Sequence, residues 1–181
     1  MKMEEKVIDS KTVYHGHILD VELQHVRTPM GTVASREIVH HAPAVALLVI
    51  DPDGKMIIER QWREAVGKET LEIPAGKVDT RDAKSADHAA VRELNEETRL
   101  QANKLQKLSS FYTSVGCMYE YMTLYLATDV HPVVNALPQD EDEEIELLHV
   151  TLDEAMKMVE SGQIEDAKTV MAIYYWRGMN K

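Results

Sequence analysis

The chain has 181 residues, a formal net charge of −11 and one cysteine. That length suits one domain or one domain with a small extension. The negative field disfavours general nucleic-acid binding. A single Cys117 excludes an internal disulfide or a cysteine metal cluster and fits a reducing, cytoplasmic home. No apolar run approaches the roughly 20 residues of a membrane span. The charged stretch Met1 to Asp9 lacks the apolar core of a signal peptide.

In chain order, Val7 to Ile8, Val13 to Leu19 and Val21 to Val26 read as short strands joined at Gly16 and Asp20. Thr28-Pro29-Met30-Gly31 reads as a turn. Val33 to His40 is the returning strand. Val45 to Ile50 and Lys55 to Gln61 form a hairpin over Asp51-Pro52-Asp53-Gly54. Leu71-Glu72-Ile73 is a short strand ended by Pro74-Ala75-Gly76. Asp87 to Arg99 reads as a helix. Leu105 to Phe111, Tyr121 to Thr128 and Ile145 to Val150 are strands, with a loop at Ser114 to Glu120. Thr151 and Glu154 form a capping-box pattern opening a helix that ends near Ser161-Gly162. Asp166 to Arg177 is a last amphipathic helix. The mixture lacks regular βαβ alternation, which favours α+β or a mixed-sheet sandwich.

At about 100° per residue, Glu93, Glu96 and Glu97 share roughly one third of the first helix surface. Val91, Leu94 and Thr98 face the other way, toward a core. Like charges at this spacing repel by a few tenths of a kcal/mol per pair. A solvated face tolerates that; a hard divalent cation converts the repulsion into attraction. Taken without its surroundings, the stripe reads as a solvated acidic face.

Its surroundings change the reading. Leu71-Glu72-Ile73-Pro74-Ala75-Gly76 precedes Arg92-Glu93-Leu94-Asn95-Glu96-Glu97-Thr98-Arg99-Leu100. Together these resemble the Nudix box: Gly, a spacer, Glu, a second spacer, then Arg-Glu-apolar-any-Glu-Glu-any-Gly-apolar. The stretch from Gly76 to Leu100 is two residues longer than that box. Asp82 stands at the first Glu position, and Arg99 stands at the closing Gly, where a left-handed cap belongs.

The resemblance extends to the ADP-ribose pyrophosphatase branch. It is carried by Arg36-Glu37-Ile38-Val39-His40-His41-Ala42-Pro43, by Glu59-Arg60-Gln61-Trp62-Arg63-Glu64-Ala65, by the acidic run Glu141 to Glu146, and by Asp166-Ala167-Lys168-Thr169. It implies an α+β fold: a Nudix-type α/β/α sandwich with a mixed sheet over residues 42–181, after a small antiparallel β domain over residues 1–41. It implies a homodimer formed through the N-terminal domain, with no membrane or nucleic-acid partner. The implied activity is Mg²⁺-dependent hydrolysis of ADP-ribose to AMP and ribose 5-phosphate, with Mn²⁺ as a substitute. Another nucleoside diphosphate derivative, or a non-catalytic ADP-ribose sensor, are the alternatives.

By position, the resemblance makes Glu93 and Glu97 the main metal ligands, with Glu96 on a further metal or its water. The Ala75 carbonyl is another ligand. Arg92 and Glu143 join Glu96 and Glu97 as catalytic residues, Glu143 as the loop carboxylate that activates or orients water, with Glu141 and Glu144 as rivals. Arg36, Glu37, Arg63 and Glu64 are the substrate-binding set, Arg36 reaching over from the N-terminal domain. Where the branch carries Pro in the loop after the box, this chain has Val115. Glu120 in that loop either closes onto the metal site or is solvated, and the solvated reading is taken. His40 and His41, adjacent on a strand, point to opposite faces and are read as structural.

Overall fold

The structure is a computed structural model that describes residues 3–139 and 144–180. Its contacts divide the chain into two units. One comprises Met1–Pro43 with Ser110–Met122; the other comprises Ala44–Ser109 with Thr123–Lys181.

In the first unit, β1 (Lys6–His15), β2 (Leu19–Arg27) and β3 (Val33–His41) form an antiparallel meander. The expected short strands at Val7 and Val13 are one ten-residue strand. Its pairing with β2 shifts between Val7 and Asp9 and again between Thr12 and Tyr14. Such irregularities break the side-chain alternation, and so hid the strand's length in the sequence. Every residue of β1 is exposed. The expected turn at Thr28 forms, with the Gly31 N–H donating to the Thr28 carbonyl at 2.9 Å and Gly31 at φ +89°.

A two-residue strand at Met118–Tyr119, numbered β9 in chain order, pairs in parallel with β3. The Val39 N–H also donates to the Cys117 carbonyl at 2.7 Å. These bonds carry residues 110–122 with the N-terminal strands. A boundary drawn at residue 41 omits that segment, because two residues are too few to show periodicity.

The second unit is built on a sheet in the order β11-β5-β4-β10-β8. Its strands are β4 (Ala44–Ile50), β5 (Met56–Arg63), β8 (Leu100–Tyr112), β10 (Tyr121–Pro132) and β11 (Glu146–Val150). The ends of β8 and β10 run into the other unit's segment. β6 (Lys68–Glu72) pairs with β5, and β7 (Ala75–Lys77) pairs with β4. The hairpin turn at Asp51 forms, with Gly54 at φ +75°.

Val45, Leu47 and Val49 of β4 bury against Ala89, Ala90 and Leu94 of α1 (Ala86–Thr98). Small alanines let the helix backbone approach the sheet closely. α3 (Ala167–Met179) contacts β4 and β6 and buries Thr169, Ala172, Ile173 and Trp176. α2 (Leu152–Glu160) packs on α3 and opens with the expected reciprocal box between Thr151 and Glu154. The mixed sheet with helices is the expected α+β class.

Candidate active site

Ser85 caps α1 by accepting the His88 N–H. The helix stops at Arg99, which takes φ +61° and returns its N–H to the Asn95 carbonyl. The left-handed slot of the missing Gly is therefore present, filled by Arg. Leu94 and Thr98 are buried as expected, but Val91 is 56% exposed. Glu93, Glu96 and Glu97 are only 7%, 8% and 5% exposed. This stripe is no solvated face.

The turn before the helix explains that burial. β7 runs antiparallel to β4, pairing Ala75 with Ala46 and Gly76 with Val45. That register lays the Ala75 and Gly76 backbone beside α1. The Ala75 N–H donates to Glu97 Oε2 at 3.0 Å. A Cβ at Gly76 would overlap the Glu93 carboxylate, so the glycine lets that carboxylate lie directly against the turn.

Arg92 ties the stripe together. Its Nε and Nη2 grip Asp82 at 2.8 and 2.9 Å. Nη1 donates to Glu93 Oε1 at 2.8 Å and to Glu96 Oε2 at 2.7 Å. Nη2 also donates to the Lys77 carbonyl at 2.9 Å. All five guanidinium N–H groups are spent. The hydrogen bond to Asp82 leads the groups that hold Arg92 charged far above the ordinary arginine range, against the opposing pull of burial. The same bond holds the Asp82 carboxyl below the ordinary carboxylate range. Asp82 thus buttresses Arg92 from the position of the box's first Glu.

Arg63 reaches back to Glu72 in a bidentate pair at 2.7 and 2.9 Å. Lys168 pairs with the same carboxylate at 2.5 Å, and the Thr70 hydroxyl donates to it at 2.7 Å. Burial pushes Glu72 up; Arg63, Lys168 and Thr70 outweigh it and hold the carboxyl at about 2. Glu64, exposed, accepts the Trp62 indole N–H at 2.8 Å. In the other unit, Arg36 pairs with Glu5, through Nε at 3.0 Å, and Glu37 is exposed on β3 opposite Leu23. The pairing of Glu72 with Arg63 and Lys168 escaped sequence reasoning because the partners lie on different elements, whereas Asp82 stood in the sequence at the box's first acidic position.

The helix end also anchors the chain that leads to the acidic run. The Asn95 amide donates to the Asn135 carbonyl at 3.2 Å and accepts the Leu137 N–H at 2.9 Å, while Arg99 donates to the Leu137 carbonyl. Glu141 and Glu143 lie outside the described residues; Glu144 is exposed. Val115 is 83% exposed. Glu120 is not solvated: it pairs with His41 at 2.9 Å and accepts the Thr113 hydroxyl at 2.6 Å. Closing a loop across β3 and β9 puts a partner beside it that spacing did not reveal. His40 pairs separately with Glu22 at 2.7 Å.

Glu93 and Glu96 rest on Arg92, and Glu97 on a backbone N–H. Among the described residues no three His, Cys, Asp or Glu side chains are already gathered around one point. The donor set still fits a hard divalent cation. Buried carboxylate oxygens outnumber the cations beside them, and the Glu93 carboxylate lies directly against the Gly76 backbone.

Residues 40–172 match the NUDIX domain. The chain is 39% identical over 173 residues to an ADP-ribose pyrophosphatase of Bacillus subtilis (strain 168), covering 96% of this chain and 92% of that protein. It is 37% identical over 172 residues to a methanol dehydrogenase activator of Bacillus methanolicus, covering 95% and 92%. A solved structure of an ADP compounds hydrolase superposes with a TM-score of 0.86 at 23% identity, over 97% of this chain and 94% of that one, which is a likeness of fold. With the box residues assembled around one turn and one helix, the chain belongs to the Nudix family.

Proposed function

We propose that the protein is a hydrolase that splits the diphosphate of ADP-ribose into AMP and ribose 5-phosphate. The observation that carries this is the intact Glu93, Glu96 and Glu97 stripe, held by Arg92 and the Ala75 N–H, in a chain similar over nearly its whole length to an ADP-ribose pyrophosphatase.

Glu93, Glu96, Glu97 and the Ala75 carbonyl are the residues that would hold Mg²⁺, with Mn²⁺ as a substitute. When bound, the cation supplies charge neutralisation for the diphosphate and favours ionisation of an attacking water. Gly76 and Arg92 fix where the carboxylates stand. Arg63, oriented by Glu72, is the cation assigned to a phosphate oxygen. Glu143 is assigned to orient the water, with Glu141 and Glu144 as the neighbours to compare. Arg36 and Glu37 are assigned to the far end of the substrate, and Glu64 to the Arg63 side. The assembly is a cytoplasmic homodimer formed through the N-terminal strands, a reading supported by the exposed Val7, Ile8, Val13 and Tyr14 on β1.

The test is a panel of diphosphate-linked nucleosides with Mg²⁺ and product identification. Release of AMP from ADP-ribose, with ADP-glucose and dinucleotides turned over poorly, is the expected result. Glu97→Gln should lower turnover by orders of magnitude with an unchanged fold by circular dichroism; full activity in that variant would sink the metal assignment.

A further inference from the structure

Arg81 stands on a 3-10 turn, Thr80–Asp82, one residue before the box's first acidic position. Asp79 and Asp82 cap that turn reciprocally. The Asp79 side chain accepts the Arg81 N–H at 2.7 Å, and Asp82 accepts the Asp79 N–H at 2.9 Å. Ala83 and Lys84 follow at φ +50° and +62°, swinging the chain back toward α1. Asp82 is the same carboxylate that grips Arg92. Arg81 is therefore registered against the carboxylate stripe through its own turn.

The two arginines beside the stripe differ in what they have left to give. Arg92 has no donor to spare, and its side chain is 10% exposed. The Arg81 side chain is 53% exposed. Its Nε and Nη2 face Asp79 Oδ2 at 2.8 and 2.7 Å. Its Nη1 meets Glu96 Oε1 at only 3.4 Å, long for a charge-assisted hydrogen bond. One edge of a planar guanidinium is thus aimed at the stripe, weakly engaged and open to solvent, which is the geometry that suits a phosphate oxygen.

We propose that Arg81 is a substrate-contacting residue, donating through Nη1 to a non-bridging oxygen of the diphosphate, with Asp79 holding the guanidinium at the correct angle. The contact rests on the diphosphate-hydrolase reading above. On binding, Nη1 leaves its long contact with Glu96 for the shorter one with phosphate, while Arg92 keeps its hold on Glu96.

The experiment compares wild type, Arg81→Met and Arg81→Lys. It reads KM and kcat on whichever diphosphate the wild type cleaves, the Mg²⁺ half-saturation, Tm, and ADP binding by calorimetry in Mg²⁺. Loss of one charge-assisted contact is expected to weaken ADP binding and raise KM about tenfold in Arg81→Met. Partial recovery is expected in Arg81→Lys, with Tm and Mg²⁺ half-saturation unchanged. Unaltered ADP binding in Arg81→Met overturns the proposal. So does a defect confined to Mg²⁺ half-saturation, which would mean that Arg81 acts only by supporting Glu96. If the wild type cleaves a diphosphate other than ADP-ribose, the substrate reading fails while the Arg81 comparison still decides its own question. A wild type that neither cleaves diphosphates nor binds ADP removes both.

Discussion

Glu72 shows how one buried carboxylate can organise a half-exposed cation. Arg63 is half exposed, yet its fork is fixed by Glu72, which Lys168 and Thr70 hold in turn. The Glu72 carboxyl titrates at about 2 when folded, below its ordinary 4.5. Its contribution to stability is therefore complete above the unfolded value and drains away as pH falls toward the folded one. Tm measured against pH should fall through that window, and Glu72→Gln should flatten the fall. An acid limb of the same depth in the variant would refute the assignment. The residue-scale lesson about Arg92 is different. Every one of its donors is committed inside the protein, to Asp82, Glu93, Glu96 and the Lys77 carbonyl.

At the scale of elements, α1 is where sequence and structure agree best and where their gap is most instructive. The carboxylate spacing, the helix span and the left-handed stop at Arg99 were all legible, because each depends on residues within a few positions. The burial of the stripe was not legible. It depends on β7, three residues long, pairing with β4 and bringing Gly76 beneath Glu93. In the same way the bulges of β1 concealed a long strand, and β9 was too short to register. Arg99 offers a test at this scale. Glycine at a left-handed position relieves about 1 kcal/mol of strain, while losing the Arg99 hydrogen bond to Leu137 costs about as much. Arg99→Gly should leave Tm nearly unchanged and yet speed amide exchange over residues 133–137, as read by mass spectrometry. Unchanged exchange there would show that the side chain anchors nothing.

For the whole molecule, two units are legible for opposite reasons. The catalytic unit announced itself through the box. The N-terminal unit announced itself only through strand patterning, and the segment 110–122 that joins it came from structure. Its first strand exposes all ten residues, apolar ones among them, as an unpaired sheet edge among the described strands. Such an edge is a pairing template unless it is covered. Sedimentation over a dilution series should show a dimer that persists to low concentration; a monomer throughout would remove the dimer reading.

The internal counter-ion of the carboxylate stripe has a practical consequence for preparing the protein. Arg92 and the Ala75 N–H already partner Glu93, Glu96 and Glu97. The stripe therefore has protein partners of its own, unlike small metallo-domains whose folding is their metal binding. Treatment with a chelator should abolish turnover without moving the unfolding transition, and adding Mg²⁺ back should restore activity within the mixing time. A slow refolding lag on reloading would mean that the stripe collapses when stripped. Recovery within the mixing time would make storage in chelator a reversible off state, useful for trapping an intact substrate complex before the reaction is started.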